Sequence, residues 1–468
     1  MLKNLLDAYF DPRAQELTDA LSRLIAIPSV KGEPAPGAPF GPGPAACLDE
    51  ALALAREWGF QTRNYDGYVG LVDLNDQDTR LHILGHLDVV TPGDGWTVTQ
   101  PFVPLVKDGC IYGRGADDDK GPMVAALMAM RAVRELRLPL RANVRLILGT
   151  DEECGSSDIA YYFAREPYAP YTFSPDADFP LINVERGRYA PTFTARWAPS
   201  AALPRVTDIH GGWKGNVIPA AAHAVVAGLS PEEIQPYADR AVSTLGVKLT
   251  LSPHPDGTAI TCAGTGGHAA EPEKANNALT ALIALLDSLP LADCPANGAV
   301  KALARLFPHG DFHGTALGVA QSDDVSGALT LSFTTLDLND EGCQGLFDSR
   351  VPICATAENC KAVAEKALGA AGLALTGEMG QAHHTPLDSP FVQTLLRCYR
   401  AHTGDSTTPV TPIGGGTYVH DIPGGVAFGC CMPGFVSNLH GPDERASVQD
   451  LLTSAKIFAQ AIMELCGE

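Results

Sequence analysis

Three apolar runs in this chain each end in histidine or carboxylates, and helical patterns separate them. RLHILGHLDVV carries His86 and Asp88 at its end, ANVRLILGT runs into Asp151-Glu152-Glu153, and an aromatic stretch leads into Ser174-Pro175-Asp176-Ala177-Asp178. Between the first two lies MVAALMAMRAVREL, whose apolar spacing is helical. Strands alternating with helices specify an α/β sheet. In such sheets the chemistry sits in loops beyond the carboxyl ends of the strands. The chain is therefore expected to fold around an α/β sheet flanked by helices, with a polar site beyond the carboxyl ends of its strands.

The rest of the chain adds a second region. Leu17, Leu21, Leu24 and Ile25 recur at helical spacing, and Pro28 ends that helix. A Gly/Pro-rich loop and a helix through LDEALALAREWG follow. The texture changes near Gly187. HAVVAGLSPEEIQPYADRAVSTLGVKLTLS reads strand–helix–strand, with Ser230, Pro231 and Glu233 forming a capping-box start. RVPICATAENCKAVAEKALGAAGLALTG repeats that order. The spacing predicts a first segment over 1–187, an inserted α+β region of two similar units over 188–384, and a return to the first domain over 385–468. The last segment holds a helix (SPFVQTLLRCYRAHTG), a glycine turn (PIGGGTYVHD) and a final helix.

Composition narrows the function. Lys+Arg is 33 against Asp+Glu 54, a net charge of −21. Phosphate backbones need clustered Lys and Arg, so nucleic acid is excluded as a partner. Acidity of this degree suits cation binding. No run approaches the roughly 18 apolar residues of a membrane span, and no signal-peptide pattern opens the chain. Twelve cysteines are scattered without a CxxC spacing, which points to a reducing cytoplasm.

Five clusters carry the chemistry. His86 and Asp88 sit two apart, on one face of a continuing strand, and a ligating imidazole needs a carboxylate partner. GRGADDDKGP places Asp117, Asp118 and Asp119 in succession before a helix, costly without a compensating cation. A phosphate-loop reading fails there, because the third glycine position is Asp118. Glu152 and Glu153 can divide the work of general base and metal ligand. Asp176 and Asp178 lie in one acidic turn, and His440 lies in NLHGPDE. Singly, each has an ordinary reading: a satisfied buried histidine, a solvated acidic loop, a helix N-terminus favoured by its dipole. Together they supply the mixed N/O donors that suit Zn²⁺ or Mn²⁺.

GHLDVV, GRGADDDKGP, TDEE, PDADFP and LHGPDE, in this order, resemble the dinuclear metallopeptidases that include carboxypeptidase G, acetylornithine deacetylase, succinyl-diaminopimelate desuccinylase and carnosinase. The resemblance runs from AIPSV to NLHGPDE and is closest to the dipeptidase branch of Xaa-His dipeptidases, the PepV-like and Sapep-like enzymes. It implies a zinc-peptidase-like catalytic domain with a central mixed sheet flanked by helices, over 1–187 and 385–468, carrying over 188–384 an inserted α+β lid of two ferredoxin-like units. It implies two divalent cations per chain, Zn²⁺ or Mn²⁺. His86 would bind one of them, oriented by Asp88. Asp118 would bridge the pair, with a cis peptide after it. Glu152 would be the general base and Glu153 a ligand to the second metal. Asp176 goes to the first metal, with Asp178 the competing choice, and His440 completes the second.

In the lid, the resemblance places Asn216 (in GGWKGN) at the substrate, His268 (in GGH) at the oxyanion and Arg350 (in DSR) at the substrate's C-terminal carboxylate, for which a guanidinium fork is suited. The backbone of Gly415, Gly416 and Thr417 is a further carboxylate-binding candidate. Two positions depart from the pattern. His420 stands where relatives often carry Lys or Arg, and Asp117 where they often carry an uncharged residue. The implied activity is hydrolysis of dipeptides with a free N-terminus. The alternatives are a deacylase of N-acyl amino acids, or a non-catalytic binding relative, for which an intact Glu152 would be superfluous. A two-unit lid supplying its own His268 implies a monomer.

Overall fold

The computed structural model describes residues 2–467. The chain forms two compact units, one running to Val184 and resuming at His383, the other spanning Glu185–Ala382.

The first unit is built on a six-stranded sheet in the order Gln61–Tyr65, Val69–Asp73, Asn143–Gly149, Thr79–His86, Tyr171–Ser174, Val426–Ala427. The first two pairings are antiparallel and the last three parallel, so the sheet is mixed. Its central strands are buried on both faces. Thr79–His86 has its last six residues buried, and Val144, Leu146, Ile147 and Leu148 are all but inaccessible. Such continuous apolar runs are what a doubly covered parallel strand requires. The helix Lys120–Glu135 is buried along most of its length, with Ala, Met, Val and Leu on every face. It packs with the terminal helix Val448–Cys466 into the same core.

Because Thr79–His86, Asn143–Gly149 and Tyr171–Ser174 run parallel, their carboxyl ends emerge on one edge. His86 ends the first of them. Asp151, Glu152 and Glu153 follow the second, and Asp176 the third. The strand in RLHILGHLDVV stops at His86 instead of continuing through Val90, so simple alternation does not place Asp88. The turn that follows does.

The helix Ala14–Ile25, which follows the helix Leu2–Phe10, ends ahead of Pro28. Its closing carbonyls have a specific partner: the buried Lys120 donates from Nζ to Leu24 O and Ile27 O, both at 2.9 Å. A cation at a helix C-terminus is favoured by the dipole.

The second unit is built on a large antiparallel sheet in the order Lys248–His254, Gly257–Ala263, Ala221–Ala227, Arg205–Gly211, Thr330–Asn339, Gly342–Val351, Thr192–Arg196, Ala374–Thr376, with Gly187–Tyr189 also on Gly342–Val351. The sequence echo is visible in it. Ala221–Ala227 leads through the helix Pro231–Leu245 to Lys248–His254, and Gly342–Val351 leads through Ala362–Ala370 to Ala374–Thr376. In each case the chain returns to the same sheet one strand away. The capping box forms: Ser230 Oγ accepts from Glu233 N, and Glu233 accepts from Ser230 N. Among the described residues no helix is long and apolar enough to cross a membrane.

Candidate metal centre

Asp118 stands between two imidazoles. His86 Nε2 lies 2.9 Å from Asp118 Oδ1, and His440 Nε2 lies 2.8 Å from Asp118 Oδ2. Around this axis are two groups of ligand-type atoms, each mutually within 4.8 Å: His86, Asp118 and Asp176, and Asp118, Glu153 and His440. Asp176 Oδ2 is 3.6 Å from His86 Nε2, and Glu153 Oε2 is 3.4 Å from His440 Nε2. Asp178 lies apart, exposed on a short strand that pairs with Cys430–Cys431. The peptide bond Asp118–Asp119 is cis, where the resemblance implies one.

The electrostatics call for cations. The bare cluster draws positive charge onto its imidazoles. Burial disfavours an imidazolium at His86, but Asp118, Asp176 and Asp88 outweigh it and hold the ring well above its ordinary value. Asp118 and Glu153 push His440 up to about 10. Asp118 is held below the usual carboxylate range because the two imidazoles overcome its burial. Burial and Asp118 push Asp176 up to about 6. Meanwhile His86 Nε2 is fully buried and makes no hydrogen bond of acceptable geometry. A buried ring nitrogen aimed at carboxylates without such a bond is what a metal ligand looks like, since a cation supplies the missing partner. The donor set of imidazole and carboxylate fits Zn²⁺ or Mn²⁺.

Asp88 acts on both sides of the site. His86 Nδ1 lies 3.0 Å from the Asp88 backbone oxygen and 3.5 Å from its carboxylate. The carboxylate itself accepts from Glu152 N at 3.1 Å and Glu153 N at 3.2 Å. It therefore fixes the turn carrying both glutamates, while its carbonyl orients the imidazole. Burial raises the Glu152 carboxyl well above its ordinary value, with His86 opposing and neighbouring acids assisting.

Several residues of the site escape sequence reasoning. Glu444 is fully buried, and its carboxylate accepts from the backbone N–H groups of Gly115, Asp117 and Asp118 at 3.0–3.2 Å. The glycine-bearing loop thus is an anion nest, and its anion is an internal carboxylate. Arg114, equally buried, donates to Glu444 at 2.6 Å and to the carbonyls of His440 and Gly441 at 3.1 Å. That holds a loop whose Asn438, His440 and Asp443 all have positive φ, an uncommon state for residues with side chains. Asp119 accepts from His86 N at 3.0 Å. A Cβ on Gly85 would collide with that carboxylate and with Met123. Tyr418 donates to Asp158, and Asp158 accepts from Thr150 N and Asp151 N, so the glycine turn is tied to the strand end bearing Glu152. Gly415 and Gly416 are exposed in that turn, and Thr417 accepts from Val419 N. His420 lies in the same short helical turn.

The remaining predicted residues lie in the second unit. Asn216 and His268 are neighbours: Val217 pairs with His268, and Ala269 N donates to Asn216 O at 2.9 Å. Arg350 is the last residue but one of the strand Gly342–Val351 and donates from Nε to Asp348 at 2.8 Å, a carboxylate it shares with Arg188.

Asp117 is not in either ligand group. Burial pushes its carboxyl up to about 8, with Ser437 opposing and Glu444, Asp118 and Asp178 adding to the rise. An amide is close in shape and charge to that neutral acid. Asp117→Asn is expected to keep the wild-type metal stoichiometry by elemental analysis; loss of one equivalent would refute this.

The family model described as "Peptidase family M20/M25/M40" matches residues 82–464. "Putative dipeptidase YtjP" of Bacillus subtilis (strain 168) is 36% identical over 97% of this chain and 98% of its own. "Beta-Ala-Xaa dipeptidase" of Lactobacillus delbrueckii subsp. lactis is 32% identical over 98% of this chain and 99% of its own. Human carnosine dipeptidase 1 has a similar fold, with a TM-score of 0.59 at 16% identity over 99% of both chains. Aminoacylhistidine dipeptidase from Vibrio alginolyticus aligns with a TM-score of 0.58 at 14% identity, over 97% of this chain and 96% of that one. With a matching family model over most of its length and near full-length relatives above 30% identity, the chain belongs to peptidase family M20/M25/M40 and is a hydrolase of the metallopeptidase class.

Proposed function

We propose that this protein hydrolyses the peptide bond of dipeptides with a free N-terminus, with two divalent cations, Zn²⁺ or Mn²⁺. The observation that carries this reading is Asp118, placed between His86 and His440 so that its two oxygens serve two ligand groups. His86, Asp118 and Asp176 would hold one cation, and Asp118, Glu153 and His440 the other. When bound, such a pair polarises a carbonyl and lowers the pKa of water.

Glu152 then accepts the proton of the attacking water and returns it to the departing amine nitrogen. Asp88 positions Glu152 through its backbone N–H and keeps His86 in orientation. Arg350, held by Asp348, is assigned to the substrate carboxylate, for which its fork is suited. His268 is assigned to the oxyanion and Asn216 to the substrate. Gly415, Gly416 and Thr417 are assigned to a backbone contact with substrate. Dipeptide specificity is supported by the relatives whose names carry that activity. We assign the protein to the cytoplasm on its cysteine usage and expect a monomer by light scattering, because the two-unit insertion provides His268 within the chain.

The test is a panel of free dipeptides beside their N-acetylated forms, each with added Zn²⁺, Mn²⁺ or chelator. Metal-dependent cleavage of the free dipeptides alone is expected. Cleavage of only the acylated compounds would move the protein to the deacylases. Chelation should also lower the melting temperature, since removing a ligand held a thousandfold above its Kd costs about 4 kcal/mol. An unchanged melting temperature after complete metal removal would argue against cations in this carboxylate cluster.

A further inference from the structure

The glycine- and proline-rich stretch that follows Pro28 contributes no residue to either ligand group of the metal centre. Its lysine nevertheless reaches the turn that carries Glu152. Lys31 Nζ lies 2.6 Å from Asp151 Oδ1 and 3.5 Å from the carbonyl oxygen of Cys154. Asp151 precedes the turn Glu152–Cys154 and Cys154 closes it. The ammonium therefore spans the turn from one end to the other.

The chain on both sides of Lys31 is fixed. Ser29 Oγ donates to Leu87 O at 2.6 Å, Val89 N donates to Ser29 O at 3.1 Å, and Val30 bridges to Val89 in parallel. The residues just before Lys31 thus run beside those that carry Asp88. Beyond Lys31 the loop is pinched shut. Gly32 N donates to Phe40 O at 2.9 Å, and a Cβ on Gly41 would lie 2.8 Å from the Gly32 backbone. Gly41 has a φ of 96°, so this close crossing calls for glycine. The closure brings the buried Phe40 ring to the ammonium, 5.2 Å from ring centroid to Nζ, a cation–π contact. Phe40 stands edge-on to Tyr68, whose carbonyl accepts from Thr150 Oγ1 at 2.6 Å. The loop is thereby tied to the residue just ahead of Asp151.

Asp151 depends on this lysine for its counter-charge. Its side chain is 1% exposed, against 37% for Lys31. Its other oxygen accepts from Ser157 Oγ at 2.6 Å and Ser157 N at 3.3 Å, and these donors are neutral. Asp151 in turn holds the ammonium above its ordinary pKa, against partial burial. A buried carboxylate without a counter-charge is costly, so loss of the ammonium favours a turn that brings Asp151 out to water. Asp88 grips the same turn through the N–H groups of Glu152 and Glu153. The turn is held from two directions, and Lys31 is one of them.

We propose that Lys31 is a positioning residue for hydrolysis: by clamping Asp151 and the Cys154 carbonyl, its ammonium sets the turn that presents the Glu152 carboxylate. This rests on the reading of Glu152 as the general base. A displacement of about 1 Å at a reacting group costs roughly 100-fold in rate, so a small rotation of this turn is enough.

Lys31→Met keeps an unbranched stem over Phe40 and removes the charge. It is expected to lower kcat by about 10–100-fold, with KM within about threefold of wild type and metal stoichiometry unchanged. Lys31→Arg should recover kcat to within about fivefold of wild type, because the charge returns. Asp151→Asn should match the loss in Lys31→Met, and the double variant should lose no more than either single one, as residues acting as a unit do. In deuterium exchange of the metal-loaded protein, the amides of residues 152–156 should exchange at least about tenfold faster in Lys31→Met. A kcat within about threefold of wild type, additive losses in the double variant, an arginine variant no better than methionine, or unchanged exchange would each overturn the clamp. Loss of a metal equivalent in Lys31→Met would overturn it as well, by assigning Lys31 to metal retention through Glu153. Glu152→Gln is assayed alongside. Should that variant retain turnover, the general-base reading fails, and the exchange measurement still decides whether Lys31 holds the turn.

Discussion

Glu152→Gln is expected to lower dipeptide turnover by about 10²–10⁴-fold, the usual contribution of a positioned general base, while metal content stays at the wild-type level. The amide keeps the shape of the side chain. The backbone N–H of residue 152 still donates to Asp88, so the turn and Glu153 remain in place. What is lost is an oxygen able to take a proton. Because burial already raises the Glu152 carboxyl well above its ordinary value, the neutral amide is also easier to bury than the anion it replaces. Thermal stability should therefore hold or rise slightly. Turnover within threefold of wild type, at unchanged metal stoichiometry, would remove Glu152 from the chemistry. A parallel loss of metal would assign it to binding instead.

Arg114→Met is expected to cost about 3–5 kcal/mol of stability, the range for breaking a buried ion pair by removing one partner. Arg114 and Glu444 are both inaccessible to solvent. Burial raises the Glu444 carboxyl and Arg114 is the main group opposing that rise, so its removal leaves a poorly compensated buried acid. The consequence extends to the metal centre. Arg114 also holds the carbonyls of His440 and Gly441, while Glu444 gathers the N–H groups of Gly115, Asp117 and Asp118. One ion pair thus joins the loop bearing Asp118 to the loop bearing His440. We expect metal affinity to fall by about 10–100-fold, the typical effect of losing an outer partner of a metal ligand. Urea unfolding and competitive chelator titration measure the two effects. The double variant Arg114→Met/Glu444→Leu should lose less than the sum of the single changes, as coupled neighbours do. A loss below about 1 kcal/mol with unaltered metal affinity would show that the two loops are held by other contacts.

The alternation of apolar runs with helices was enough to specify an α/β sheet with its polar residues at one edge, because burial on both faces demands continuous apolar strands; the antiparallel pairs that make it mixed do not follow from that pattern. The carboxylates after Gly149 and Ser174 and the histidine at position 86 were legible for the same reason: they follow or end such runs. The repeated strand–helix–strand pattern was legible as well, although not its outcome in one continuous sheet.

Other features were beyond the reach of local pattern. Asp88 lies past the end of its strand, and its carboxylate serves the glutamate turn more directly than the histidine. Of three consecutive aspartates, Asp118 lies between the imidazoles, Asp119 holds the backbone of His86, and Asp117 faces Ser437. Their residue type is identical, so only the path of the loop separates them. The choice of Asp176 over Asp178 is likewise spatial.

By itself, then, the sequence determined which residue types are available and which strand ends present them, since side-chain periodicity and burial are local consequences of composition along the chain. The tertiary structure alone decided who partners whom. Asp118 and His440 are far apart in sequence, as are Arg114 and Glu444. Their pairing follows from the return of the final segment to the sheet and the parallel entry of its last strand. An ionised group becomes tolerable inside a protein only when the fold brings its counter-charge to it.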